Sequence, residues 1–172
     1  AFIGAIGKTT STIGACPASG AVPGWCAGGT FGTGTGDGMF ANPRDIALNA
    51  AGDSLYITDL GNNRVVKVVA STGAFVGAIG KTTATTGTCP ASGSATGWCT
   101  GGTFASGALD GQFTLSNSGG IGYDSTNDKI IIGDRYRVVR HTASSGAFAG
   151  AIGNLTATSG TCPASGRATT WC

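Results

Sequence analysis

Ala1-Phe2-Ile3-Gly4-Ala5-Ile6-Gly7 returns as Ala74-Phe75-Val76-Gly77-Ala78-Ile79-Gly80 and again as Ala147-Phe148-Ala149-Gly150-Ala151-Ile152-Gly153, at a constant interval of 73 residues. The same interval relates Cys16, Cys89 and Cys162, then Trp25, Trp98 and Trp171, then Cys26, Cys99 and Cys172. Self-similarity at a fixed period is the mark of a repeat architecture. The 172 residues therefore hold two whole repeats, 1–73 and 74–146, and a third copy of the opening module at 147–172. The second repeat keeps its length by two compensating changes. Ile46 aligns with Ile121, two residues late, and Arg64 aligns with Arg137 after Asp59-Leu60-Gly61-Asn62-Asn63-Arg64 shortens to Asp134-Arg135-Tyr136-Arg137.

Composition narrows the class. Glycine fills 32 positions, charged residues make up 10% and apolar residues 41%. A chain held open by charge repulsion would be more charged and less apolar. Ten Lys and Arg scattered against eight Asp and Glu form no basic face for nucleic acid. No apolar run reaches the length of about 18 residues that a membrane-spanning helix needs. Short β-rich runs alternate with turns at intervals of roughly 8–12 residues, the pattern of an all-β fold. Within the first repeat, 1–6, Asp45-Ile46-Ala47-Leu48, Ser54-Leu55-Tyr56-Ile57-Thr58, Arg64-Val65-Val66-Lys67-Val68-Val69 and Ala74 to Ile79 read as strands. Ala51-Gly52-Asp53, Gly61-Asn62-Asn63 and Ser71-Thr72-Gly73 read as turns.

Gly36-Asp37-Gly38-Met39-Phe40-Ala41-Asn42-Pro43-Arg44-Asp45-Ile46-Ala47-Leu48, continued by Leu55-Tyr56-Ile57-Thr58-Asp59-Leu60-Gly61-Asn62-Asn63-Arg64-Val65, resembles an NHL repeat, one blade of a β-propeller. Asp45 stands where that family usually has Gly. The second repeat keeps Asp110-Gly111-Gln112-Phe113, Gly120-Ile121 and Ile130-Ile131-Ile132-Gly133-Asp134, without the Pro and the Gly-Asn-Asn. The resemblance covers about 45 of each 73 residues. It implies four-stranded antiparallel blades in tandem, at 37–79 and 110–152. The remaining segments, 8–36 and 81–109, are Cys-bounded insertions between blades, with the partial third repeat supplying a strand and one more Cys loop. Some NHL relatives are metal-dependent lyases with several axial His. This chain has one, His141, which reads as an exposed strand-end residue.

Each insertion carries Cys-Pro-Ala-Ser-Gly, four further residues, then Trp-Cys, with nine residues between the cysteines. Paired zinc ligands are usually about two to four residues apart. Six cysteines can pair in several ways. Because every copy brings its own two, local pairing is the economical choice: Cys16–Cys26, Cys89–Cys99 and Cys162–Cys172. Each bridge would stabilise its loop by roughly 2–3 kcal/mol in the loop-entropy model, and the Trp beside it is expected to pack on it. Disulfides imply an oxidising compartment, hence an extracellular or cell-surface location.

No catalytic constellation is present in the sequence, and no cofactor motif. The Gly32–Gly38 run lacks the Lys and helix of a phosphate loop. Asp37, Asp53 and Asp59 lie in separate turns, unlike a calcium loop. Asp59 and Arg64 flank a turn and are expected to hydrogen-bond its backbone. Thr10, Thr83 and Thr156 are equivalent, as are Thr12, Thr85 and Thr158. They are either a ladder of β-formers or attachment points for sugars, and Asn154-Leu155-Thr156 is an N-glycosylation sequon. Ends that fall within the repeat suggest a processed subunit or a window of a longer repetitive polypeptide, with further copies at both ends. The expected function is a non-catalytic structural subunit of an extracellular filament, built from copies of itself and decorated with covalent glycans. The alternative is an NHL-type propeller segment that binds a protein or glycan.

Overall fold

Residues Arg64–Val69 alternate across a sheet, and that alternation organises the chain. A computed structural model describes residues 1–116, 119–155, 162–163, 165–168 and 170–172. Strands β1 (Lys8–Thr12), β2 (Gly20–Ala21) and β3 (Gly29–Gly32) form a small sheet in the order β2-β1-β3. Strands β4 (Pro43–Leu48), β5 (Ser54–Asp59), β6 (Arg64–Val69) and β7 (Phe75–Thr85) form an antiparallel meander, which β8 (Gly93–Ser94) and β9 (Gly102–Ala105) extend by pairing with β7. The second repeat gives β10 (Ile121–Asp124), β11 (Lys129–Gly133), β12 (Arg137–Thr142) and β13 (Phe148–Leu155), with β14 (Gly166–Arg167) paired to β13. The architecture is all-β and antiparallel, with one short 3-10 turn, Leu60–Asn62, among the described residues.

Two features differ from the sequence expectation. Residues 1–6 do not form a regular strand and make only the single bridge Ala5–Cys26. The Gly-rich stretch after Cys26, to which the sequence assigns no strand, contains β3. Glycine is required there because the strand runs against the disulfide: a Cβ on Gly29 would lie 2.9 Å from Cys16 Sγ, and on Gly102 2.7 Å from Cys89 Sγ.

Paired residues of neighbouring strands share a face. In the first meander Ile46, Ile57, Val66 and Ala78 are in register, and so are Leu48, Leu55, Val68 and Phe75. A bulge at Val76 brings Phe75 and Ala78 to one side. This face packs with Phe40 and Ile6. The opposite face presents Tyr56, Thr58, Val65 and Ile79. It forms one core with Phe113, Leu115, Ile130, Ile132 and Val139 of the second repeat. The two meanders therefore pack face to face.

A buried ion pair ties each meander to the irregular chain before it. Arg64 Nε lies 3.0 Å from Asp59 Oδ2, and both side chains are fully buried. The remaining Arg64 nitrogens donate to the carbonyls of Thr35, Gly36 and Met39. Asp59 accepts from the Ala41 amide at 2.8 Å and Asn62 Nδ2 at 2.7 Å. Burial pushes the Asp59 carboxyl up, while hydrogen bonds from Asn62 and Ala41 and the Arg64 charge pull it down. The second repeat keeps the device across its shortened turn. Arg137 pairs with Asp134 at 3.0 Å and donates to the carbonyls of Leu109 and Gln112. The sequence expectation that Asp59 and Arg64 serve their own turn is thus corrected: they hold residues 35–41, because Arg has enough donors to satisfy several orphan carbonyls at once. Arg64→Met would leave Asp59 buried without its counter-charge, so denaturant titration should show a loss of about 3–5 kcal/mol. A loss below about 1 kcal/mol, the scale of an exposed pair, would contradict this role.

Candidate functional site: the junction between repeats

Each Cys-bounded segment folds into a lobe closed by its own disulfide: Cys16–Cys26, Cys89–Cys99 and Cys162–Cys172. No cysteine is free. The lobes are fastened to the sheet by their tryptophans. Trp25 Nε1 donates to Ala70 O at 2.9 Å and its amide to Thr72 O at 2.8 Å. Trp98 repeats both bonds, to Ala143 O at 2.9 Å and Ser145 O at 3.1 Å. The receiving turn needs glycine. Gly146 has φ +78°, and a Cβ there would lie 2.6 Å from the Trp98 nitrogen.

Trp98 also sits in the seam between repeats. Its ring stacks on Tyr56 with centroids 5.7 Å apart, and Tyr56 stacks on Tyr123 at 6.1 Å. Lys67 Nζ lies 5.7 Å from the Tyr56 centroid and 5.9 Å from that of Trp98. Such contacts reward a cation over an aromatic face. Burial pushes the Tyr56 phenol up to about 12, so it is a neutral donor to Ala143 O at 3.3 Å.

Four side chains of the first repeat clamp the second. Besides Tyr56, Thr58 Oγ1 donates to Gly119 O at 2.7 Å. Asp45 Oδ2 accepts from the Ile121 amide and Asn63 Oδ1 from the Leu115 amide, each at 3.0 Å. Asp45, at the position where NHL repeats usually have Gly, is thereby a cross-repeat acceptor. A fifth contact, Asp37 Oδ2 with the Gly101 amide at 2.8 Å, ties the second lobe to the first connector.

His141 lies in this core and not at an exposed strand end as the sequence suggested. It is fully buried and packs between Phe113 and Phe148, with centroids at 5.4 and 5.7 Å. It occupies the place of Val68 in the first repeat, on the same face as Val139, because β12 alternates as β6 does. That alignment is the sequence signal that could have found it. Nδ1 bonds Gly146 O at 2.8 Å, and Nε2 has no partner among the described residues.

The threonine rows fall on the lobes. Thr10 and Thr83 are exposed at bulges, with hydroxyls donating to Thr30 O and Thr103 O. Thr12 and Thr85 are half-buried and accept from the Gly14 and Gly87 amides in tight turns. Asn154 is exposed on β13, whereas Thr156 and Thr158 lie outside the described residues. Asp53 caps its own hairpin through Asn49 and Ser54, so Asp37, Asp53 and Asp59 do not converge.

Residues 40–68 match the NHL repeat family. The match runs from Phe40 through β4 and β5 to Val68 in β6. No curated protein matches the chain. The chain thus carries an NHL repeat in an antiparallel, disulfide-stapled all-β architecture, a β-propeller-like binding or structural module. No helix among the described residues is long and apolar enough to cross a membrane.

Burial holds the His141 imidazole down to about 4, from an ordinary 6.5, and the Arg137 charge adds to the effect. The unfolded chain binds this proton more readily, so stability is complete above pH 6.5 and falls as pH drops towards 4. The loss over that window is about 3 kcal/mol. His141→Val, which restores the residue of the first repeat, should flatten the pH dependence of chemical denaturation. An unchanged profile would place the proton elsewhere.

Proposed function

We propose that the protein is a non-catalytic structural subunit of an extracellular filament, assembled head to tail from copies of this chain. The supporting observation is that the outer face of each stacked meander keeps uncovered apolar residues. On the outer face of the first, Ile46 is 61% and Leu48 50% exposed. On the outer face of the second, Ile131, Val138 and Ile152 are half-buried, whereas their first-repeat counterparts Tyr56, Val65 and Ile79 are sealed in the core. A like unit on each side would bury both. Unlike surfaces meeting in this way give open chains unless the rotation closes.

The stapled lobe in every repeat fits an oxidising, extracellular setting. In this reading the exposed Thr10, Thr83 and Asn154 are where sugars attach. His141 and the Asp–Arg pairs are consumed by structure, which favours a non-catalytic role. A second reading, a glycan- or protein-binding propeller segment, is favoured by Trp25, which is 38% exposed beside Pro23 on the first lobe.

Sedimentation velocity and negative-stain microscopy across a concentration series decide between them. The filament reading predicts particles that lengthen as concentration rises. A single small mass at every concentration would overturn it.

A further inference from the structure

We infer that the contact between copies seats the Ile46 and Leu48 face of one copy on the Gly122, Ile131, Val138 and Ile152 face of the next, in an apolar junction built differently from the one inside the chain. The inference rests on the self-assembly reading and names its surfaces.

The internal junction supplies the template. There β4 and β10 lie side by side, and the first meander covers Ile121 and Tyr123, the counterparts of Ile46 and Leu48. The uncovered Ile46 and Leu48 of one copy therefore present the surface that, one repeat later, is already occupied by a preceding meander. That preceding meander must offer the face opposite its own Ile-rich rows. In the second repeat this face is the one left open. Its strand register makes Gly120, Gly122, Ile131, Gly133 and Val138 the counterparts of Asp45, Ala47, Tyr56, Thr58 and Val65.

The substitutions in that set change the kind of contact. Asp45, Tyr56 and Thr58, which clamp the internal junction, become Gly120, Ile131 and Gly133, and Asn63 becomes Tyr136. None of the four clamping hydrogen bonds can be repeated with the same atoms. What remains is a face of Gly122, Ile131, Val138 and Ile152, with the charged Arg140 opposite Ile131. A Cβ on Gly122 would meet nothing within 4 Å, so branched side chains from a neighbour have room to lie against β10. The two junctions of the stack thus differ in chemistry. The one inside the chain is clamped by buried polar bonds that fix its register. The one between copies relies on area removed from water, and is the junction at which the assembly comes apart. A third lobe adds to the difference. Arg140, the register partner of Ile131, lies 4.7 Å over the Trp171 ring as Lys67 lies over Trp98, so the host copy's own lobe covers part of the docking face.

Two substitutions at exposed positions test this without touching a core. Ile46→Glu charges one surface and Gly122→Glu charges and fills the other. Both variants should fold with wild-type circular dichroism, and each alone should stay a single chain where the wild type lengthens. An equimolar mixture should stop at two chains, because one intact surface remains on each partner. If the wild type stays single, the self-assembly reading and this inference fall together. If the wild type lengthens and either variant lengthens equally, or if the mixture does not pair, the filament reading survives and these surfaces are wrong. Pairing within one variant alone would indicate a like-to-like contact and would also overturn the assignment.

Discussion

A four-stranded meander has two faces, and here both carry apolar residues, so each sheet gains stability from every face that is covered. That constraint organises the molecule. The seam centred on Phe113 covers one face of each meander at once, drawing Tyr56, Val65 and Ile79 from one side and Ile130, Ile132 and Val139 from the other. Lobe residues Cys89, Ala95 and Cys99 complete the same core. The lobes are therefore more than surface insertions. The first two are wedges whose disulfides lower the entropy of the open chain and whose Trp side chains pin them to the glycine turn of the following meander.

The polar groups serve the same end. A strand-poor connector such as residues 33–41 carries carbonyls that must find donors once the sheet covers them. Arg64 and Arg137 supply those donors, and Asp59 and Asp134 orient the guanidinium groups. The pair stabilises by satisfying several neighbours, since a buried ion pair by itself gains little over an apolar substitute. Its retention across a turn two residues shorter shows that the connector, and not the turn, is what it serves.

Much of this was legible in the residues. The fixed interval predicted equivalent modules, alternation in Arg64–Val69 predicted a strand, and one pair of cysteines per copy pointed to local bridges. Other features were hidden for identifiable reasons. β3 was obscured because Gly29 and Gly32 have no β-propensity, and only the nearby disulfide explains them. The reach of Arg64 to Thr35 and Gly36 spans nearly thirty residues of chain, which no local pattern encodes. His141 looked exposed because it is polar, although its register with Val139 placed it inward. The clamps Asp45, Thr58 and Asn63 look like ordinary turn and strand residues, since their partners are backbone groups of another repeat.

The account stands on the claim that the two meanders share one core and so fold as one unit. Native-state amide hydrogen exchange reads this directly, because strands of one cooperative unit open at one free energy. The amides of Val65 and Val66 in β6 and of Ile132 and Val139 in β11 and β12 should share the highest protection and exchange only through a common opening. Protection of β11 and β12 lost at a distinctly lower free energy, while β6 stays closed, would show two independent sheets and contradict the shared core.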